Sequence, residues 1–314
     1  MVNAGIGSPS FGAAVAAKTA VMTPDFPVEL INATVQIEQD LGNNTKTVGT
    51  AFLVSAPTPE GRPRTVLVTA GHLFDRMPKP EARIGWRLGS SVGDWRYAPG
   101  PLAIRVQGPA AVEAGESASQ ASSPPVSLND GRPLWVRHPS QDIAAIAIQA
   151  PPEFAKAAIP LAWLADERTF ATHQVRPGDE MMALGFPRGL SSNRAGFPIL
   201  RWGRVASYPL TPVSSFPTFL LDFRVFDGNS GGPVFMADPD RGAPGAKDGG
   251  AAYFVAGVLI KQVESRGDRL EIGVVVHAKH VREAIAMLDR PVTAPALPRP
   301  APMPVGTQAD RAAR

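Results

Sequence analysis

Residues 225–235 read VFDGNSGGPVF and place Ser230 between glycines on both sides. A serine hydroxyl is a weak nucleophile until a neighbouring base accepts its proton, and acyl transfer also needs donors for the oxyanion that forms. Glycines at 228, 231 and 232 allow a tight backbone turn and bring main-chain N–H groups close to a substrate without an intervening Cβ. On its own the stretch also fits a glycine-rich β-turn between two strands, so its meaning depends on the rest of the chain.

The composition of the 314-residue chain narrows the class of protein. Hydrophobic residues make up 44% of it, and no apolar run approaches the roughly 20 residues that cross a bilayer. The chain has no cysteine, which excludes disulfides, thiolate metal sites and cysteine nucleophiles. A net charge of +3 with scattered basic residues predicts no nucleic-acid surface. No basic segment precedes the first apolar run, so we expect no secretory signal, no membrane partner and a cytoplasmic location.

The chain divides into four predicted regions. Residues 1–27 are small and polar and residues 290–314 are rich in proline and alanine, so both are expected to be disordered, although the tail also fits a polyproline II ligand. Short β-rich runs predict two sets of antiparallel strands, at 28–150 and 151–289, arranged as paired barrels or a sandwich. Residues 107–133 predict a long surface loop within the first set.

One helix is predicted near the C-terminus, in AKHVREAIAMLDR. Val281, Ile285 and Leu288 recur there at helical spacing, so they share one face. We expect this face to pack on the second set of strands.

Two further segments supply the groups that Ser230 needs. VLVTAGHLF places His72 directly after a predicted strand, and imidazole exchanges a proton near neutral pH. HPSQDIAAIAI places Asp142 before an apolar strand, where an unpaired carboxylate is costly. Taken singly, His72 fits a half-buried histidine at a strand end and Asp142 fits an exposed strand cap. Their occurrence together, in the order histidine, aspartate, serine, favours nucleophilic catalysis.

These segments resemble the signatures of the chymotrypsin-like serine proteases, T-A-A/G-H, D-I/V-A-x-L/I and G-D/N-S-G-G-P. Here TAGH ends at His72, DIAAI begins at Asp142 and GNSGGP surrounds Ser230. The segments GTAFLV and GDEMMALGFPRG are similar to lesser family segments, so the resemblance spans residues 28–288. Within this family, the chain resembles the cysteine-free bacterial branch, which includes the HtrA/DegP-like domains, more than it resembles the disulfide-bonded digestive enzymes.

The resemblance implies an all-β fold of two antiparallel six-stranded barrels with a C-terminal helix, and a site in the cleft between them. Ser230 would attack the peptide carbonyl, His72 would accept its proton and Asp142 would orient the imidazole. The N–H groups of Gly228 and Ser230 would form the oxyanion hole. The implied activity is that of a serine endopeptidase acting on protein or peptide substrates, without a cofactor or a metal.

Specificity is predicted from two segments. The resemblance places the base of the P1 pocket at Arg224, followed by Val225 and Phe226. An arginine there would repel lysine and arginine, so we expect small apolar or acidic P1 residues; with a different loop length, Arg224 would point to solvent instead. The segment AGVLIK is expected to pair with an extended substrate by strand addition. Its predicted binding residues are Gly257, Val258 and Leu259.

Three alternatives stay open. The string G-x-S-x-G also matches the nucleophile elbow of α/β-hydrolase esterases, but that fold needs a helix after the serine and Pro233 predicts a strand. His277, His280 and Glu283 have the spacing of a metal site, yet the H-E-x-x-H pattern is absent and helix-associated histidines explain them better. The third alternative is a protease fold that binds peptides without turnover.

Overall fold

A computed structural model describes residues 25–89, 94–106, 131–241 and 251–289. The predicted tail and most of the two other segments expected to be irregular, 1–27 and 107–133, lie outside these residues. Helix α1 (Phe26–Ala33) begins within the segment 1–27 that was predicted to be disordered, so its first two residues belong to that segment. Phe26 is fully buried. Pro27 lies in the first turn, where its missing N–H costs no helical bond. In the described ranges, no helix has the length and apolar character to cross a membrane.

The N-terminal half forms one eight-stranded sheet. Its strands are β1 (Thr34–Gly42), β2 (Thr45–Pro57), β3 (Pro63–Thr69), β4 (Glu81–Leu88), β5 (Arg96–Ala103), β6 (Val136–Arg137), β7 (Ala144–Ile148) and β8 (Ile159–Pro160). The order is β5-β4-β1-β2-β3-β7-β6, and β8 pairs in parallel with β2. Asn43 and Asn44 take positive φ values of 51° and 58°, which suits the tight turn predicted between β1 and β2.

The N-terminal sheet is not the closed six-stranded barrel that the resemblance implies. Strands β5 and β6 lie at its two ends, and within the described residues these ends meet at a single bridge between Arg105 and Pro133. The N–H of Leu134 donates to the Ile104 carbonyl at 3.0 Å beside that bridge. Because β6 has only two residues, it cannot carry a continuous ladder to β5. The sheet therefore curls until its edges touch, without closing.

The C-terminal half forms the closed six-stranded barrel that was predicted. Its strands are β9 (Glu180–Gly185), β10 (Ile199–Val205), β11 (Thr218–Asp222), β12 (Pro233–Asp238), β13 (Ala252–Ser265) and β14 (Asp268–His277), in the order β10-β11-β14-β13-β12-β9. Strand β12 begins three residues after Ser230, where an α/β-hydrolase would have a helix. The esterase alternative is therefore wrong.

The remaining helices are short, apart from the one predicted near the C-terminus. They are α2 (Gly71–Asp75), α3 (Pro152–Ala157), α4 (Thr169–Thr172) and α5 (Ala278–Met287), with single 3₁₀ turns at Leu161–Trp163 and Pro187–Gly189. Helix α5 buries Val281 and Ile285, as predicted. It contacts both halves rather than the second alone, because Arg64 of β3 donates to the Ile285 carbonyl within the helix at 3.5 Å and to Asp289, two residues after the helix, at 2.6 Å.

A continuous apolar core joins the two halves. The ring of Phe26 lies 4.8 Å from that of Trp163 and 5.9 Å from that of Phe235 on β12. The chain crosses between halves in the segment 160–164, since β8 pairs with the first sheet and Leu164 bridges Val255 of the barrel. This shared core fixes the cleft where the two halves meet.

Candidate active site

Strand pairing brings His72 next to Asp142. Strands β3 and β7 are antiparallel neighbours with Thr69 opposite Ala144, so the end of β3 and the start of β7 lie at the same edge of the sheet. His72 follows β3 and Asp142 precedes β7. The N–H of Gly71 donates to the Asp142 carbonyl at 3.2 Å, which ties the two chain segments together beyond the ladder.

The Asp142 carboxylate makes two contacts with His72. Its Oδ2 lies 2.6 Å from His72 Nδ1, and its Oδ1 accepts the His72 backbone N–H at 2.9 Å. A carboxylate only accepts hydrogen bonds, so Nδ1 carries a proton, and in the neutral imidazole Nε2 keeps its lone pair. The imidazole is thus held in the tautomer that can accept a proton on the side away from Asp142.

Arg137 is a second partner of this carboxylate. Its Nη2 lies 3.2 Å from Asp142 Oδ1, and its Nη1 donates to Asp75. Burial raises the pKa of Asp142, but the hydrogen bonds from His72 and the charges of His72 and Arg137 outweigh burial, so the pKa lies below its ordinary value. Asp142 is therefore an anion at neutral pH.

The loop around Ser230 is anchored to the first half by Thr50 of β2. The Thr50 N–H donates to the Ser230 carbonyl at 2.9 Å, and its Oγ1 donates to the Gly228 carbonyl at 2.7 Å. These bonds hold the loop against the N-terminal sheet. As a result His72, Asp142 and Ser230 all line one cleft of about 520 Å³.

The Ser230 hydroxyl does not point at the imidazole. It donates to the Ile260 carbonyl at 2.9 Å, and no hydrogen bond joins the described side chains of Ser230 and His72. Bringing Oγ to His72 Nε2 requires the hydroxyl to leave Ile260.

The amides of the serine loop fall into two groups. The N–H groups of Asn229 and Gly232 donate within the loop, to the carbonyls of Phe226 and Asn229 at 3.1 Å each, and that of Gly231 donates to the Leu259 carbonyl of β13 at 2.7 Å. Those of Gly228 and Ser230 donate to no acceptor in the described part of the chain. The carbonyl of Asp227 accepts the Arg188 N–H at 2.6 Å, so across the same planar trans peptide the Gly228 N–H points away from Arg188. The unused donors are those that the resemblance assigns to an oxyanion hole.

Two glycines of this loop are required by their surroundings. Gly228 has φ +93°, and a Cβ there would lie 2.3 Å from the Phe186 carbonyl oxygen. Gly231 has φ +89°, and a Cβ there would lie 2.0 Å from the Thr50 carbonyl oxygen. Both the dihedral angle and the lack of space therefore exclude a side chain at these positions.

The structure places two of the three predicted pocket residues in the cleft lining and the third outside it. Val225 and Phe226 line the cleft, whereas the Arg224 side chain is 60% exposed and its Nε lies 3.2 Å from Glu271 Oε1. Arg224 thus takes the solvent-facing alternative, and its guanidinium lies outside the cleft lining. Val225, Phe226 and Ile260 are the apolar members of the cleft lining, which also includes the charged residues Asp227, Lys261 and Arg269.

The predicted substrate-binding residues of β13 are paired inside the barrel, and the part of β13 that lines the cleft begins just after them. Gly257 and Val258 pair with β12 on one side and β14 on the other, and the Leu259 N–H donates to the Gly232 carbonyl, so these residues do not line the cleft. Beyond Leu259 the strand pairs with β14 alone. The cleft is lined there by Ile260, Lys261 and Gln262.

Three side chains of metal-binding type meet between β6 and α5, but they are not the set His277, His280 and Glu283 that was weighed as an alternative from the sequence. His138 Nε2 and His280 Nδ1 lie 3.0 and 2.8 Å from Glu283 Oε2, while the His277 ring packs 4.6 Å from that of Phe170 instead. His138 Nδ1 accepts the Gln141 N–H at 3.1 Å, so its proton lies on Nε2, where a metal would need a lone pair. The cluster therefore does not fit a metal ion.

Several residues around the site were not singled out from the sequence. Arg137 and His138 stand within WVRHPSQD, directly before Asp142, and the turn-forming letters of that segment were their only local signal. Thr50 belongs to GTAFLV, which resembles a family segment, and Ile260 belongs to AGVLIK, which was predicted to pair with substrate, but neither residue was itself predicted to have a role.

Comparisons with known proteins give no family assignment. No protein-family model and no curated protein matches the sequence. The structure is similar to that of the HtrA-type protease AlgW with tripeptide, with a TM-score of 0.47 and 15% identity over 85% of this chain and 64% of that chain. A variant of AlgW with tripeptide gives 0.46 and 14% over 84% and 62%. The match thus spans less than two thirds of AlgW, and similarity at this level assigns no function to this chain.

Proposed function

We propose that this protein is a serine endopeptidase that hydrolyses peptide bonds through an acyl-enzyme. One observation carries the proposal: Ser230 shares a cleft with an imidazole whose Nδ1 is fixed by Asp142, beside two amides that have no internal acceptor. The base, its orienting carboxylate, the nucleophile and the oxyanion donors are each supplied by this chain.

The chemistry begins when the Ser230 hydroxyl leaves the Ile260 carbonyl. A substrate N–H that donates to that carbonyl would displace the hydroxyl toward His72. Oγ then bonds to the peptide carbonyl carbon while Nε2 takes its proton, and the oxyanion accepts the N–H groups of Gly228 and Ser230. As the C–N bond breaks, the imidazolium returns the proton to the leaving amine. Water repeats the sequence on the acyl-enzyme and restores the hydroxyl.

The cleft favours an apolar P1 residue. Val225, Phe226 and Ile260 contribute apolar side chains to the cleft. Arg224 does not line it, because its guanidinium lies 5.1 Å from the centre of the Phe226 ring and pairs with Glu271. We predict fastest turnover after small or medium apolar residues in a panel of peptides that differ only at P1. Fastest turnover after lysine or arginine would contradict this specificity.

A second candidate, a peptide-binding module without turnover, is favoured by one observation. The Ser230 hydroxyl donates to Ile260 rather than to His72, so the triad is not assembled in this state. If the hydroxyl never leaves that carbonyl, the cleft binds peptides and cleaves none.

A fluorophosphonate probe separates the two candidates, because it bonds covalently only to an activated serine. We predict labelling of the wild type, loss of labelling in Ser230→Ala and His72→Ala, and wild-type labelling in Ser215→Ala, which removes an exposed hydroxyl elsewhere on the barrel. The expected fall in kcat for Ser230→Ala is on the order of 10⁶. A folded wild type that is not labelled would support the binding module.

A further inference from the structure

The turn that presents Asp142 is closed by hydrogen bonds from His138. The His138 N–H donates to the Ile143 carbonyl at 2.9 Å, and its Nδ1 accepts the backbone N–H groups of Gln141 at 3.1 Å and Ser140 at 3.3 Å. His138 is only 7% exposed. One side chain thus satisfies the amides directly before Asp142, as an aspartate or asparagine does in a local turn.

Helix α5 holds that side chain from the other side. His138 Nε2 lies 3.0 Å from Glu283 Oε2, and because a carboxylate only accepts, the His138 proton lies on Nε2. This leaves Nδ1 free to accept the Gln141 amide. Glu283 is itself fixed by His280, whose Nδ1 lies 2.8 Å from the same oxygen and whose ring packs edge-on to His138 at 5.0 Å.

We propose that His138 is a positioning residue for the reaction, which fixes the turn that aims Asp142 at His72, and that Glu283 of α5 sets the tautomer this task requires. The inference rests on the proposed function. It assigns a role in the activity to a histidine that touches neither the substrate cleft nor the reacting atoms.

The expected effect follows from the short contact that the turn maintains. Without an acceptor at Nδ1, the Gln141 and Ser140 amides lose their partner, and Asp142 is no longer held 2.6 Å from the imidazole. Misplacement of a catalytic group by about 1 Å can cost about 100-fold in rate. Substrate binding along β13 is unaffected, so the loss should appear in kcat and not in KM.

Two isosteric substitutions separate the functions of the two ring nitrogens. In His138→Asn the side-chain oxygen replaces Nδ1 and can cap the turn, but the contact with Glu283 is lost. In His138→Gln the amide nitrogen replaces Nε2 and keeps Glu283, but the cap is lost. We expect kcat within about threefold of the wild type for the first and a fall of about 10- to 100-fold for the second, with KM unchanged in both. Glu283→Ala, which frees the tautomer, should lower kcat less than His138→Gln does.

Melting temperatures and crystal structures complete the test. If His138 had a purely structural role, kcat would follow the melting temperature, and His138→Gln, which keeps the contact with α5, would be the more active variant. That order of activities would overturn the proposal. Crystal structures of both variants give a readout independent of turnover, since the contact between His72 Nδ1 and Asp142 Oδ2 should lengthen only in His138→Gln. An unchanged contact between His72 Nδ1 and Asp142 Oδ2 in His138→Gln would overturn the inference, whether or not the wild type is labelled. Failure of the fluorophosphonate probe to label the wild type would refute the proposed function instead.

Discussion

The backbone donors around Ser230 are ordered before any substrate arrives. The amides of Asn229 and Gly231 already donate to the carbonyls of Phe226 and Leu259, whereas those of Gly228 and Ser230 have no acceptor in the described chain. Donors that are held in place need no reorganisation when charge develops on a carbonyl oxygen. At the scale of single residues, the glycines are therefore needed for the direction of N–H bonds as much as for a tight turn.

Gly228→Ala tests that direction. The new Cβ would lie 2.3 Å from the Phe186 carbonyl oxygen, so the backbone must shift and move the Gly228 N–H. We expect kcat to fall by about 10²- to 10³-fold, as for loss of one oxyanion donor. Gly267→Ala is the matched control, because Gly267 has a similar φ of +86° but nothing within 4 Å of its Cβ position. Equal kcat in the two variants would argue against a role for the Gly228 N–H.

Strand β2 connects the first half of the chain to the loop around Ser230 in the second. Besides its bonds to Gly228 and Ser230, Thr50 accepts the Phe186 N–H on Oγ1 at 3.1 Å. It also accepts the Thr69 hydroxyl on its carbonyl at 2.7 Å. A single fully buried residue of an interior strand therefore joins β3, the segment after β9 and the serine loop.

Thr50→Val removes only the hydroxyl from this junction. It leaves the Gly228 carbonyl and the Phe186 amide without a partner, and each unpaired buried group costs about 1 to 3 kcal/mol. We predict a lower free energy of unfolding in urea and a lower kcat, whereas Thr50→Ser, which keeps the hydroxyl, should lose far less of both. A valine variant as stable and active as the serine variant would contradict the assignment.

Sequence patterns predicted the interior elements better than the edges. Runs such as VLVTA and IAAIAI are mostly apolar, as expected of buried strands, and they form most of β3 and β7. The first sheet does not close because β6 has only two residues, and no local sequence pattern predicts that length. The sequence did not predict which part of β13 lines the cleft, because the pairing of β13 with β14 shifts register between Leu259 and Lys261, and such a bulge depends on the neighbouring strand. His138 was missed since its partner Glu283 lies 145 residues away.

The site exists only in the assembled molecule. His72 and Asp142 come from one half and Ser230 from the other, the order that the three sequence motifs predicted. The halves are fixed by the shared core around Phe26 and by α5, whose Arg282 donates to the carbonyls of Leu161 and Leu164 at 2.9 and 3.0 Å. What the motifs could not provide is the resting direction of the Ser230 hydroxyl, which depends on the Ile260 carbonyl across the cleft.

We expect the stability of the fold to decrease at acidic pH, mainly because of one buried histidine. Burial lowers the pKa of His277 to about 4, from 6.5, and the nearby His280 lowers it further than Glu167 raises it. Between pH 6.5 and 4 the unfolded chain therefore binds a proton that the folded chain does not, so the folded state loses stability as the pH falls through that range.

The size of this loss can be measured by replacement. Acidification from pH 7 to pH 5 should cost the wild type about 2 kcal/mol through His277 alone. In His277→Phe, which keeps an aromatic ring beside Phe170 and Phe219, that part of the pH dependence should disappear. Urea unfolding of both proteins at the two pH values checks this, and parallel curves would show that His277 does not cause the acid sensitivity.

The connection between Glu283 and the turn before Asp142 has a consequence for synthesis. A ribosome adds the histidine, the aspartate and the serine to the growing chain well before it adds the helix that locks the acid in place. An unfinished polypeptide thus carries all three reactive groups without the part that aligns them. If the protein is a protease and Glu283 has the proposed role, its full activity requires that α5 has been translated and has packed against the turn before Asp142, so an incomplete chain has lower activity.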